Sequence, residues 1–238
     1  MAYRHDFDLW VIGFLNQFSQ RSHLLDESVE FLSGCNLLKG GVIIALLWWV
    51  WFKNEPHQAR VREHVTATLV GCIIAMVVAR AVAIATPLRL RPLHEESLNF
   101  LLPFGMEPRT MDGWSSFPSD HAALFFALSF GLLFASKRIG AIALAHTFIF
   151  IAIPRMYLGL HYPTDILAGA AIGATAAVVA NVYLVRQNAI SPISRWATSK
   201  PEIFYPLFFV FSYQIADLFT SVRSLAAASA FIVRGLIA

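Results

Sequence analysis

The sequence predicts an all-α protein: a polytopic membrane bundle of five to six core transmembrane helices, with an N-terminal amphipathic helix and a membrane-associated C-terminal tail. Three observations predict it. Hydrophobic residues fill 57% of the 238 positions and charged residues only 14%, and the mean hydropathy is +0.61, outside the range of ordinary soluble domains. The apolar residues gather into runs near the roughly 20 residues that a helix needs to cross the hydrocarbon. Lysines and arginines favour one side of those runs, as they do in multi-pass chains.

The elements follow in order. Phe7, Leu9, Trp10, Ile12, Leu15 and Phe18 recur at helical spacing among polar residues, the pattern of a helix lying on or dipping into the interface. Asp6, Asp8 and Gln17 interrupt that pattern, unlike the continuous apolar middle of a cleavable signal peptide, so insertion is expected to use internal spans. Asp26, Glu27 and Glu30 argue against a clean crossing before Leu37. Spans are expected at 37–52, 65–85, 121–135, 139–158 and 166–185. Each is apolar nearly all round, so periodicity does not select an inward face. The stretch 191–201 reads as a polar hinge, dividing a core of 1–190 from a C-terminal segment of 191–238. In that segment 203–219 is aromatic but broken by Pro206, Gln214 and Asp217, and 225–237 is short and rich in alanine. One more crossing, a re-entrant pair and surface helices all remain open for it. Cys35 and Cys72 lack redox or metal-ligand spacing and read as packing residues.

The formal charge of +3 matters by position. Lys53, Arg60, Arg62, Lys137, Arg138, Arg186, Arg195 and Lys200 fall on one side of the spans, which makes that side cytoplasmic. Ser119, His121, His161 and Asp165 emerge on the other, where Glu95, Glu96, Glu107 and Asp112 also collect. The polar set is therefore expected to face outward, away from the cytoplasm.

That set carries the functional information. Ser119 precedes an apolar run and suits an N-cap, so the first turn, with the Asp120 backbone and His121, offers N–H groups and a positive dipole end to an anion. Pro163 suits a helix start, with His161 just outside and Asp165 in the first turn. A carboxylate there can fix the imidazole tautomer and leave the other nitrogen free to attack. Arg91 and Arg155 supply planar forks that match phosphate oxygens. Together they describe phosphoryl transfer at a membrane interface. For Arg80 the plainer reading is snorkelling or packing, and for His146 a hydrogen-bonded packing role within a span.

Arg91-Pro92, Pro118-Ser119-Asp120-His121, and Arg155 with His161 and Asp165 resemble the three-part pattern of the type 2 phosphatidic acid phosphatase superfamily. The Pro-Ser-Asp-His variant, Arg89-Leu90-Arg91-Pro92 and the stretch 159–165 look most like the undecaprenyl-diphosphate phosphatases of the bacitracin-resistance type. The resemblance implies His161 as nucleophile forming a phosphohistidine, Asp165 holding it, and His121 protonating the departing oxygen and then activating water. It implies Arg91, Ser119 and Arg155 as ligands of the phosphoryl oxygens, with no metal and no cofactor. Where the family often has Lys, seven residues before Arg91, this chain has Ile84. Arg89 is the expected substitute, unless the site works without that charge.

The resemblance, with the interfacial location, implies a lipid substrate, a polyprenyl diphosphate in the narrower case. The loop 93–117, with its Leu, Phe and Trp residues, reads equally as a substrate gate or as interfacial anchoring. A phosphatase for phosphatidic acid or phosphatidylglycerophosphate and a lipid phosphotransferase are the enzyme alternatives. A transporter would show broken helices in related halves, and no such duplication is visible. A lipid-binding protein has no need of a nucleophile with its orienting carboxylate. No feature points to a nucleic-acid partner or sets an oligomeric state.

Overall fold

A computed structural model describes residues 5–54, 56–222 and 224–225, and every regular element among them is helical. In chain order these are α1 (Asp6–Asn16), α2 (His23–Gly34), a π turn (Leu37–Gly41) leading into α3 (Val42–Phe52), α4 (Gln58–Ala85), two short 3-10 helices (Pro92–His94 and Glu96–Leu98) and α5 (Asp120–Ala135). Then come α6 (Lys137–Thr147), which runs through a second π turn (Phe148–Ala152) into α7 (Ile153–Tyr157), and α8 (Pro163–Arg186), α9 (Ser191–Ser199) and α10 (Pro201–Ala216).

The protein is a multi-pass membrane protein. Gln58–Ala85, Lys137–Tyr157 and Pro163–Arg186 are long and apolar enough to cross a bilayer; His23–Gly34 with Leu37–Phe52, bent by 67°, makes a fourth if that pair is one span. The crossings so supported are three to four. The expected span at 121–135 is present as α5, but at 16 residues it is shorter than a full crossing.

Between helices in lipid the hydrophobic drive is weak, and close backbone approach matters instead. Here α5 sits among α4, α6 and α8. A Cβ on Gly173 would lie 2.2 Å from the Ala123 oxygen and one on Gly169 2.4 Å from the Ser119 oxygen, so bare glycines let α8 press against α5. That contact registers the two helix starts: the Ser119 N–H donates to the Asp165 carbonyl at 3.1 Å. Polar contacts add about 0.6 kcal/mol each, including Ser129 Oγ with Thr147 Oγ1 at 2.8 Å and Asn181 Nδ2 to Thr68 Oγ1 at 3.2 Å. His146 takes the packing role, with Nε2 2.8 Å from the Leu38 oxygen and 3.2 Å from the Lys39 oxygen, carbonyls of the π turn before α3.

The ends of the chain differ in detail from the sequence reading. In α1 Trp10 is 70% exposed while Asp8 is buried beside Ile12, so a carboxylate faces inward. The expected hinge at 191–201 is mostly helical: Pro192 sits in the first turn of α9, where its missing N–H costs nothing. The aromatic residues of α10 pack on α3, with Trp51 and Phe208 centroids 4.7 Å apart and Trp48 and Phe208 5.2 Å apart. Of the stretch 225–237, all but Leu225 lies outside the described residues.

Candidate active site

Several segments meet at the end of the bundle where α4 and α7 finish and α5 and α8 begin. The chain leaving α4 is pinned there in extended form: Arg89 O accepts from Ser116 N at 2.9 Å, and Leu93 N donates to Gly159 O at 3.1 Å. Ser119, extended and fully buried, accepts from Ala122 N at 3.3 Å through its hydroxyl and so caps α5. At the start of α8 the Asp165 carboxylate accepts from Tyr162 N at 2.7 Å, and Pro163 fills the first turn.

These local structures place two imidazoles and two guanidiniums on one cavity. His121, His161, Arg91 and Arg155 line a space of about 880 Å³. His161 is buried, and its Nδ1 donates to the Ser116 carbonyl at 2.8 Å. That bond sets the tautomer and leaves Nε2 as a lone pair, with Arg91 Nη1 3.5 Å away. Burial pushes the His161 imidazole below its ordinary range; the Asp165 carboxylate opposes the shift and the Arg91 guanidinium adds to it. At His121, Nε2 lies 2.5 Å from Arg155 Nη2. Arg91 is anchored by Nη1 on the Leu160 carbonyl at 2.5 Å and by Nη2 on the Ser115 carbonyl at 3.2 Å. The Nε–H groups of Arg91 and of Arg155 are buried without a hydrogen-bond partner. Leaving such a donor unmade costs about 1–3 kcal/mol each.

The sequence-predicted residues take different positions around this cavity. Asp120 lines it together with Pro118, while Ser119 stands behind them as the cap. Asp165 lies 3.8 Å from His161 Nδ1, beyond hydrogen-bonding reach, and Ser116 supplies the direct acceptor. Arg89 turns away from the cavity. Its Nη1 reaches Asp165 Oδ1 at 2.5 Å and Thr164 Oγ1 at 2.8 Å, its Nη2 reaches Asp8 Oδ2 at 2.7 Å, and its guanidinium lies 4.3 Å from the Tyr162 ring centroid. Its charge is thus spent on carboxylates. Alternation along extended backbone would put residues two apart on one face; the Asp8 and Asp165 carboxylates draw Arg89 off it.

Sequence reasoning missed Asp8, which accepts from Thr164 N at 2.9 Å and Thr164 Oγ1 at 2.6 Å. A lone carboxylate on the apolar part of α1 was the available signal. It also missed Ser116, whose backbone does the work, and the segment after α10, where Leu218 and Thr220 line the cavity. Among the described residues no group of three or more His, Cys, Asp or Glu is arranged to hold a metal ion.

Residues 88–189, the stretch that builds most of this cavity, match the PAP2 superfamily, and the chain carries a domain of that superfamily. Among curated proteins it is similar to the bacitracin transport permease protein BcrC of Bacillus licheniformis, 41% identical over 27% of this chain and 31% of that one. It is also similar to a lipid A 1-phosphatase of Rhizobium johnstonii, 34% identical over 41% and 39%, and to the undecaprenyl-diphosphatase BcrC of Bacillus subtilis, 24% identical over 64% and 72%. The chain thus spans less than two fifths of the length of the first two relatives. A crystal structure of Aquifex aeolicus LpxE superposes with a TM-score of 0.56 at 25% identity, over 77% of this chain and 100% of that one.

Proposed function

We propose that this protein is a lipid phosphatase that removes the terminal phosphoryl group of a polyprenyl diphosphate through a phosphohistidine, at the outer face of a bacterial inner membrane. The observation that carries the reading is the convergence of two guanidiniums, Arg91 and Arg155, on one cavity with His121 and His161. They ask for an anion, and the histidines supply the chemistry. The name of the Bacillus subtilis relative, undecaprenyl-diphosphatase, supports the substrate class. The lipid A 1-phosphatase relative supports a second reading, a phosphorylated sugar lipid at the same site.

In the proposed reaction His161 Nε2 attacks the terminal phosphorus. The N–P bond forms as the bridging P–O bond breaks, and the electron pair leaves with the lipid monophosphate. His121 Nε2 protonates the departing oxygen, then takes a proton from the water that cleaves the N–P bond and releases inorganic phosphate. Arg155 now donates to that same His121 nitrogen, so a bound phosphoryl group must draw Arg155 onto its oxygens and free His121 Nε2 to take up, from water or from the substrate phosphate, the proton that it passes to the departing oxygen. Arg91, Arg155 and the N–H groups at the Asp120 end of α5 stabilise the equatorial oxygens, while the Ser119 cap and the Asp165 carboxylate hold the two helix starts. Two guanidiniums supply the preorganised positive field, and activity is expected to persist in chelator.

In this reading α5 also crosses the membrane, completed by its flanking loops, which gives a core of five to six crossings. Lys53, Arg60, Arg62, Lys137, Arg138 and Arg186 lie at the end away from the site, and the positive-inside tendency puts the site outside. The test is phosphate release by the purified protein, in chelator, from undecaprenyl diphosphate, phosphatidic acid and a phosphorylated sugar lipid. Preference for the diphosphate supports the substrate; preference for another replaces it and keeps the mechanism.

A further inference from the structure

Two guanidiniums account for one phosphoryl group, and the cavity holds a third. Arg80, on α4, lines the same space as Arg91, Arg155 and both histidines. Its guanidinium lies 4.7 Å from the Trp114 ring centroid and 3.8 Å from Asp120 Oδ2. The aromatic face holds the planar group while leaving its edge free, and 3.8 Å is too long for a hydrogen bond. Among the described residues the Arg80 guanidinium donates no hydrogen bond. Arg80 is half-buried, whereas Arg91 and Arg155 are buried, so Arg80 occupies the mouth and the other two the floor. Beyond it on α4 lies Ile84, 78% exposed and lining the same cavity.

We infer that Arg80 is a specificity-determining residue that holds the second, lipid-attached phosphate of a diphosphate substrate; this rests on the function proposed above. A lipid whose terminal phosphoryl reaches His161 and whose tail lies along the apolar end of α4 carries its linking group past Arg80. A diphosphate has an anion there and a monophosphate ester has none. Asp120 sharpens the choice. Its carboxylate repels a second phosphate unless Arg80 stands between them, so removing Arg80 both deletes an attraction and uncovers a repulsion. Negative charge grows on that phosphate as the bridging bond breaks, so the contact strengthens in the transition state.

The experiment compares wild type, Arg80→Gln and Arg80→Lys on farnesyl diphosphate and farnesyl monophosphate. Inhibition by methylenediphosphonate and by inorganic phosphate is measured alongside. Arg80→Gln is expected to lower kcat/KM for the diphosphate about 10- to 100-fold, the size of a lost charge-assisted contact, and to change the monophosphate rate by less than about threefold on the same basis. It should weaken inhibition by the diphosphonate and leave that by phosphate unchanged, with Arg80→Lys recovering part of the loss. An equal loss on both substrates and both inhibitors, or no loss on any, overturns the inference. A wild type inactive on the diphosphate overturns the substrate reading instead, and is seen before any variant is made.

Discussion

Arg89 and Arg91 stand two residues apart and do opposite things. Arg89 enters a pocket of opposite charge, where Asp8 and Asp165 take both ends of its fork. Arg91 enters a pocket where backbone carbonyls hold its Nη groups and its Nε is left over, with Arg155 on the same cavity and the Asp165 and Asp120 carboxylates near it but not hydrogen-bonded to it. The first pocket is electrically complete and stabilises the fold around the start of α8. The second is incomplete and has work to do on an anion. Residue type does not separate structural from functional arginines; whether carboxylates take up the fork does.

The widest gap between the two pockets is expected in activity. Arg91→Gln should lower kcat/KM by about 100- to 1,000-fold, the range for losing one preorganised donor, with little change in thermal stability. Arg89→Gln should do the reverse, because it strands buried carboxylates. Breaking a buried pair costs about 3–5 kcal/mol, read as a lowered Tm, with a smaller activity loss per folded molecule. Asp8→Asn in the Arg89→Gln background should return part of that stability by removing one stranded charge. If Arg89→Gln proves stable and inactive while Arg91→Gln unfolds, the assignment of the pockets is inverted.

The smallest effect is on pH dependence. The folded imidazole of His161 sits below its ordinary 6.5, chiefly through burial. Above pH 6.5 neither the folded nor the unfolded state is charged at this residue, and its contribution to stability is constant. As pH falls below 6.5 the unfolded chain takes up the proton first, so stability declines towards the folded pKa. His161→Gln should flatten that part of the stability profile. In kcat/KM the limb belonging to the nucleophile should lie on the acid side of pH 6.5, since His161 attacks as the neutral base.

Much of this was legible in the sequence. The helical class and the apolar runs followed from composition, and the residues that converge on the cavity were named by their positions at helix starts and ends. Arg89 was misread because spacing along the chain does not report Asp8, which arrives from α1. The direct partner of His161 was unreadable for a different reason: the Ser116 acceptor is a backbone carbonyl, and every residue has one. Crossing number was legible only in part: the apolar run at α5 forms a helix of 16 residues, shorter than a full crossing and wedged against α8 by glycine contacts.

The most direct test is to trap the phosphoenzyme from a polyprenyl diphosphate labelled in its terminal phosphate. Wild type should carry label on His161, His121→Ala should form and lose that label more slowly because both proton transfers are impaired, and His161→Ala should carry none and lose about six orders of magnitude in turnover, as nucleophile deletions do. Label on another residue, or turnover surviving in His161→Ala, would contradict the account.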